Sequence, residues 1–298
     1  MLRNFGKFFL VTASIGFAVL CFADVSGFVL ASRNGFNLFA RNVLPVLFPF
    51  FFITGLMTEA GLRGRTSTVM LLSYTSGFPT SAKLLSELYQ KGEINRVKAI
   101  KLATATSTVS PIFVIATVGV GLLGSAWSGV IVFTGMILGA LANGILFNII
   151  LGKRKQQNIS PFNAGKDYAK DVAKIDIGAT IANTLQNALQ SIFSVGGMIV
   201  LFYIITAQLD TVLGLSQVAG AILASIFEMT VGVFVSVPLS TSILVPTAVL
   251  TFGGLSVGMQ GYLFFRKFGM SFWFYLLYKI THTLFAVTIV WILSSIVL

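Results

Sequence analysis

The stretch SYTSGFPTSAKLLSELYQKGE, residues 73–93, interrupts a strongly apolar chain with residues that break helices. Gly77 and Pro79 stand near its middle. Proline lacks a backbone N–H and disrupts the helical turn before it, and glycine loosens a helix. The pattern therefore predicts two short helical arms, 66–76 and 80–90, joined by a turn. At ~1.5 Å per residue each arm would be roughly 17 Å long, about half of a ~30 Å hydrocarbon layer.

The composition of the whole chain indicates a membrane protein. Its 298 residues are 56% hydrophobic and only 10% charged, and the mean hydropathy is +0.91. A soluble domain of this length could not bury so much apolar surface, so lipid must be its solvent. The net charge of +11 does not indicate a nucleic-acid partner, because the basic residues cluster between apolar stretches, where they orient helices.

Several kinds of chemistry are not expected from this sequence. The chain has one cysteine, Cys21, and one histidine, His282, so an internal disulfide and a cysteine or histidine metal cluster are excluded or implausible. It also lacks a phosphate-binding Walker motif and any plausible Ser-His-Asp arrangement. We expect no enzyme, no resident cofactor and no metal site, while a coupling H⁺ or Na⁺ stays open.

Nine apolar stretches follow one another along the chain, and most are long enough to cross a bilayer. They are residues 8–30, 43–62, 66–90, 97–123, 127–151, 177–208, 215–239, 240–264 and 270–298. The first could be a signal peptide cleaved after Ala23, but its apolar character continues to Leu30. A retained transmembrane helix within residues 1–36 is therefore favoured.

Charge decides between a full crossing and a re-entrant hairpin for residues 66–90. A full crossing would place the basic residues of 91–101 and 152–176 on the side opposite to the basic N-terminus, against the positive-inside tendency. A hairpin that enters and leaves on the cytoplasmic side, with a second hairpin at 215–239 entering from outside, keeps most of the 20 Lys and Arg residues inside. The sequence therefore predicts two re-entrant hairpins.

The hairpin topology divides the chain into two halves of opposite orientation. Each half consists of a span, a hairpin and two further spans, which is an inverted-topology repeat of the kind found in many secondary transporters. The first repeat covers 37–151 and is gate-like, a cytoplasmic basic linker covers 152–176, and the second repeat covers 177–298. The prediction is an all-α polytopic protein of the bacterial cytoplasmic membrane, with the N-terminus inside and the C-terminus outside.

Two of the predicted spans carry helix breakers in their middle. Pro111 interrupts one, and the pair Gly253-Gly254 interrupts the other. Together with the two hairpin tips, this gives four interruptions, near residues 77–79, 107–111, 228–232 and 253–256. Irregular backbone cannot face lipid, so we expect all four to meet near the bilayer midplane around a cavity. Half-helix N-termini there would suit an anionic or strongly accepting ligand.

Candidate substrate-binding residues are the polar, charged and helix-breaking residues at or near these interruptions. They are Gly77, Pro79, Thr80, Lys83, Ser107, Ser110, Pro111, Glu228, Thr230, Gly253, Gly254, Ser256 and Gln260. Lys83 and Glu228 are predicted to bracket the substrate from opposed hairpins, because intramembrane charges are usually functional. An ion pair between Lys83 and Glu87, four residues apart, is the alternative for that lysine. Lys279 is expected to snorkel toward the interface, and His282 to bond between helices.

Three of the same stretches carry a resemblance to a known family. SGFPTSAKLLSELYQKGEI from Ser76, STVSPIFVIATVGVGLLG from Ser107 and FGGLSVGMQ from Phe252 resemble, in order, motifs of the sporulation integral membrane protein family typified by YlbJ. Members of that family carry the nucleoside-recognition or gate domain. Phe78, Ser81, Ser107 and Ser110 depart from it, standing where Tyr, Gly, Asn and Gly are usual.

The resemblance implies a fold related to concentrative nucleoside transporters. It also implies a link to spore formation, in which a member of the family has been assigned export of dipicolinic acid. Ser107 and Ser110, two of the departures from the family motifs, fall in the candidate site.

Two hypotheses about function follow. The first is a secondary transporter for a small polar or anionic solute, dipicolinate- or nucleoside-like, that works by alternating access around a midplane site. The alternative is a non-transporting membrane scaffold or a gate-like subunit of a complex. Buried charges such as Lys83 and Glu228 favour the transporter, because a scaffold has no use for them. The expected partners are the lipid bilayer and a small-molecule substrate, and a homo-oligomer stays open.

Single-cysteine labelling tests the predicted sides of the membrane. In a Cys21→Ser background, a cysteine at position 93 should be protected from a membrane-impermeant maleimide applied to intact cells, because it lies beside cytoplasmic basic residues. A cysteine at position 125, between the two spans that follow, should react. Labelling at position 93 but not at position 125 would contradict the hairpin topology.

Overall fold

The structure, a computed structural model, describes residues 2–59, 66–78, 80–90, 92–152 and 176–297. Within these ranges every regular element is helical and no strand is present. The body of the predicted basic linker, residues 153–175, lies outside the described residues.

The helices before the predicted linker are interspersed with two π-helical segments. They are α1 (Leu2–Ala23), α2 (Val25–Leu38), a first π segment (Phe39–Val43), α3 (Leu44–Glu59), α4 (Thr66–Ser76), α5 (Thr80–Gln90), α6 (Arg96–Thr106), a second π segment (Phe113–Leu122) and α7 (Ala126–Ile150). The helices after it are α8 (Ile177–Leu213), α9 (Gln217–Phe227), α10 (Met229–Ser236), α11 (Leu244–Phe252), α12 (Gly254–Phe265) and α13 (Phe272–Val297). Short 3₁₀ turns, Val237–Leu239 and Arg266–Phe268, follow α10 and α12.

Five helical runs in the described parts of the chain are long and apolar enough to cross a bilayer. They are Val25–Met57, Ala126–Ile150, Ile177–Leu213, Leu244–Phe268 and Phe272–Val297. The prediction of an all-helical polytopic membrane protein is confirmed at this level.

The N-terminal region differs from the prediction. The expected span 8–30 is divided at Asp24, whose side chain accepts a hydrogen bond of 2.9 Å from Gly27 N and caps α2. From Val25 the chain stays helical to Glu59, so the expected loop between 30 and 43 and the repeat boundary at 36 fall inside this helical run. The sequence there contains no proline before residue 45, and the first π segment keeps the helical path continuous.

The helix α8 also extends further than predicted. It ends at Gly214, which has φ +59° and donates its N–H to Asp210 O at 2.9 Å, instead of at Gln208. A glycine in the left-handed region is a strong helix terminator, whereas isolated polar residues do not stop a helix. The predicted end of this stretch at Gln208 is therefore more than one turn too early. The predicted span 240–264 likewise becomes helical only at Leu244.

The helix ends around the interrupted stretch 73–93 match the prediction. The arms α4 and α5 have the bounds expected from the positions of Gly77 and Pro79, and they pack against each other. The stretch 215–239 is divided in the same way, between α9 and α10 at Glu228. The two expected mid-span breaks are present as well, at residues 107–110 and at Gly253.

Two antiparallel helix pairs hold the molecule together. In α7 and α13, Gly135 faces Val290 and Gly139 faces Ala286, and a Cβ on Gly139 would lie 2.8 Å from Ala286 N. The run from α2 to α3 packs along α8 in the same manner, with Phe39 against Gly196 and Gly55 against Thr184. In both pairs the residue numbers run in opposite directions, so the helices are antiparallel. Small residues allow this close approach within a membrane.

Candidate functional site

The first two interruptions pack directly on each other. Phe78 N donates to Thr108 O at 2.9 Å, so one broken segment satisfies a backbone group of the other. Gly77 has φ +69°, and a Cβ there would lie 2.4 Å from Ser110 N. Only glycine fits this position, because a side chain would collide with backbone and would also need a left-handed conformation.

The other two interruptions meet in a similar way. Gly253 and Gly254 have φ values of +83° and +68°. A Cβ on Gly254 would lie 3.1 Å from the backbone nitrogens of Glu228 and Met229. In each half of the chain, therefore, the turn between two short helices contacts the break in the helix that follows it.

Three of the four interruptions line one small enclosed cavity, which we call the central cavity, and the fourth lies next to it, with Val257 and Gln260 of α12 in the lining. Its volume is about 30 Å³, enough for roughly two water molecules. Residues at or next to the interruptions line it: Phe78, Val109, Ser110, Glu228, Thr230 and Gln260. Apolar side chains from the first π segment, α3 and the second π segment complete its wall, among them Val43, Leu47 and Phe113. Three of the four expected interruptions thus share one lining, and the fourth packs against the third through Gly254.

Glu228 is the charged residue of the central cavity among the described residues. Its side chain is only 2% exposed, and Oε2 accepts a hydrogen bond of 2.8 Å from Val231 N. The carboxylate therefore caps the N-terminus of α10, where the free N–H groups and the helix dipole favour negative charge. Its position between the interruption and the cavity lets it hold a proton or contact a bound solute.

Neutral hydrogen-bonding groups complete the polar part of the cavity. Ser110 is buried, and its Oγ has no hydrogen-bond partner among the described residues. Thr230 is also buried, and Gln260 Nε2 lies 3.5 Å from Ser256 Oγ. A buried hydroxyl without a partner is unfavourable unless water or a ligand satisfies it. The Ser110 hydroxyl is therefore free to bond a small polar molecule in the cavity.

A larger and more polar space, which we call the vestibule, adjoins the central cavity. It measures about 430 Å³ and lies between α3, α5, α8 and α12. Its lining includes Lys83, Glu87, Asn187 and Ser191. Phe51 and Gln260 line both spaces, so these two side chains separate the vestibule from the central cavity.

The structure does not place Lys83 and Glu228 together. Lys83 is exposed and lines the vestibule, whereas Glu228 is buried in the central cavity, so the two charges do not face each other across one space. The alternative is not observed either, because no ion pair forms between Lys83 and Glu87 in the described part of the chain. Pro79 and the side chain of Thr80 lie outside the described residues.

The remaining candidates take supporting positions. Ser107 lies away from the cavity lining and accepts a hydrogen bond of 3.0 Å at Oγ from Tyr278 OH. Pro111 begins the helical turn that leads into the second π segment. Gly253 and Gly254 provide the close backbone approach described above, and Ser256 supports Gln260.

Residues of the last helix reach the interruptions in a way that the sequence reading missed. Lys279 does not snorkel to an interface: it is 5% exposed, and its Nζ lies 3.4 Å from Ser107 O. His282 lies between helices as expected, with Nε2 3.0 Å from Met136 O. Asn143 of α7 was also missed, and its Nδ2 donates to Tyr278 O at 3.0 Å. The sequence could have indicated that Lys279 and Asn143 are buried, because polar residues in the middle of apolar helices seldom face lipid.

Comparison with known proteins gives one informative relative. No family model matches the chain, and no solved structure matches it. The chain is 27% identical to the sporulation integral membrane protein YlbJ of Bacillus subtilis, in an alignment that covers 77% of this chain and 68% of the relative. The chain is therefore an integral membrane protein homologous to YlbJ, and the resemblance seen in the sequence motifs is confirmed.

A matched pair of glycine substitutions tests the packing of the interruptions. Gly77→Ala should lower the free energy of unfolding by about 1–3 kcal/mol more than Gly92→Ala, because its methyl group meets Ser110 backbone. Gly92 also has positive φ, +73°, but nothing lies within 4 Å of a Cβ there, so it controls for backbone strain. Unfolding of the purified protein in detergent, followed by tryptophan fluorescence, measures both. Equal losses would contradict the contact between the first two interruptions.

Proposed function

We propose that this membrane protein is a secondary transporter that moves a small polar or anionic solute by alternating access around the central cavity. The observation that carries the proposal is the meeting of three helix interruptions at a buried, mainly apolar cavity that contains Glu228, with the fourth interruption packed against the third and a polar vestibule alongside. Discontinuous helices that meet at the midplane form the binding sites of many secondary transporters. Irregular backbone at membrane depth is tolerated where protein buries it or a cavity receives it.

The proposal includes an inverted-topology repeat. The segments α4–α5 and α9–α10 are re-entrant hairpins, and the runs from α6 to the second π segment and from α11 to α12 are broken spans. A two-fold axis in the membrane plane makes equivalent helices antiparallel, and the pairs α3 with α8 and α7 with α13 have that relation. The contacts between each hairpin turn and the following break support the same equivalence.

The two spaces indicate how access would alternate. The central cavity, at about 30 Å³, is too small for a solute of several heavy atoms, whereas the vestibule, at about 430 Å³, is large enough. In the topology predicted from charge, the vestibule lies on the cytoplasmic side, because Lys83 and Glu87 lie on the arm that leads back to Lys91. Movement of Phe51 and Gln260 would join the two spaces, and rocking of one repeat against the other would open the opposite side.

The site favours solutes with anionic or accepting groups. The N-terminus of α12 has no side-chain cap at the fourth interruption, whereas that of α10 is capped by Glu228, and Lys83 adds a positive charge in the vestibule. The homologue is named for sporulation, so we propose a solute of that process, dipicolinate-like or nucleoside-like, carried across the bacterial cytoplasmic membrane.

Uptake into proteoliposomes tests this function with three variants. Lys83→Ala should raise the solute concentration needed for half-maximal uptake, because it removes the vestibule cation. Glu228→Gln should keep the shape of the cavity but change the response to an imposed pH gradient, because only the ionisable oxygen is lost. Lys98→Ala, an exposed lysine on α6, is the matched control and should behave as the wild type.

The assay uses a labelled aromatic dicarboxylate first and nucleosides second. The proposal is supported by gradient-driven uptake of either solute in which Lys83→Ala changes the concentration dependence and Glu228→Gln changes the response to the pH gradient. Absence of uptake of both classes by folded wild-type protein, under either orientation of the gradient, would favour a non-transporting scaffold. Wild-type kinetics in both Lys83→Ala and Glu228→Gln would contradict the roles given to these residues.

A further inference from the structure

Lys279 places a buried cation between two of the interruptions. Its Nζ lies 3.4 Å from Ser107 O, and a Cβ built on Gly253 would lie 3.7 Å from the same nitrogen. The side chain belongs to α13, which packs against both α7 and α11. The ammonium therefore reaches from the last helix to the breaks in both interrupted runs.

Both breaks present the same kind of helix end to this ammonium. Ser107 follows the last residue of α6, and Gly253 follows the last residue of α11, so each marks a C-terminus. The last carbonyl groups of a helix lack intrahelical partners, and the helix dipole makes that end negative. Lys279 thus lies near two partially negative helix ends, whereas the central cavity is lined by Glu228 and Thr230 at the N-terminus of α10.

The neighbouring side chains do not neutralise this charge. Among the described residues no carboxylate lies within ion-pair distance of Nζ. Glu228 lies on the other flank of the glycine pair, against Gly254. Tyr278 OH bonds Ser107 Oγ, and His282 bonds Met136 O. Among the described residues, the hydrogen-bond partner of the ammonium is therefore a backbone carbonyl, that of Ser107.

We propose that the Lys279 ammonium is a built-in cation that takes the place of a coupling Na⁺ at the two helix C-termini. In transporters with broken helices, unwound carbonyls and C-terminal half-helix ends coordinate the coupling cation. The ammonium is a compact point charge with three donors, so it can serve the same carbonyls from a fixed side chain. This chain then needs no Na⁺ at that position. That the replaced cation would be a coupling ion is the one step that rests on the proposed transport function.

Removal of the side chain should expose a site for a small monovalent cation. Lys279→Ala leaves the carbonyl ends without their cation, and Na⁺ can enter the vacated space where the larger choline cannot. Lys279→Met removes the charge but fills the space, so it should be destabilised without becoming sensitive to Na⁺. Lys98→Ala, at an exposed lysine, controls for loss of a positive charge.

The measurement is the thermal midpoint of the purified full chain in sodium chloride and in choline chloride at equal ionic strength. We expect equal midpoints in the two salts for the wild type, Lys98→Ala and Lys279→Met, and a higher midpoint in sodium chloride only for Lys279→Ala. Stabilisation of the wild type by Na⁺ overturns the proposal, and this arm needs no variant to fold. A folded Lys279→Ala that is indifferent to Na⁺ also overturns it. No solute is involved, so the outcome is independent of whether the protein transports.

Discussion

The need to satisfy backbone groups away from lipid governs the rest of this structure. Each interruption frees N–H and C=O groups that would cost several kcal/mol if they faced hydrocarbon. The molecule satisfies them by packing the interruptions on one another, as in the hydrogen bond from Phe78 N to Thr108 O. It also recruits side chains, as where Glu228 caps α10 and where Lys279 reaches Ser107. A buried polar centre is the consequence of this constraint.

The same constraint separates two electrostatic environments a short distance apart. The N-terminus of α10 and Glu228 face the central cavity, whereas the C-termini of α6 and α11 lie near Lys279. The Gly253-Gly254 turn stands between them, with one glycine beside Lys279 and the other against Glu228. A solute that changes one environment would act on the other through this turn. Such an arrangement suits a protein that must couple binding to movement of its half-helices.

The fold was predictable where a single residue controls the local backbone. Gly77 and Pro111 stand at helix ends that the structure confirms, because proline and glycine act locally. The long run from Val25 to Glu59 was missed, since capping by Asp24 and antiparallel packing on α8 outweigh the polar residues within it. The sequence also predicted that the interruptions would approach one another, and the structure brings them into two contacting pairs. Lys83 was predicted to face the substrate but is exposed, and Lys279 was predicted to reach the interface but is buried. The exposure of both side chains depends on neighbouring helices that a sequence does not show.

Accessibility of the central cavity from water tests the account most directly. Ser110→Cys, in a background where Cys21 is Ser, places a thiol on the cavity wall, and Ser73→Cys places one at a buried position outside the cavity lining. The account predicts that a small, membrane-impermeant thiol reagent modifies Ser110→Cys in membrane vesicles as the protein opens, and leaves Ser73→Cys unmodified. If Ser110→Cys stays as unreactive as Ser73→Cys from both sides of the membrane, the interruptions form a sealed core, and the claim of a solute site is contradicted.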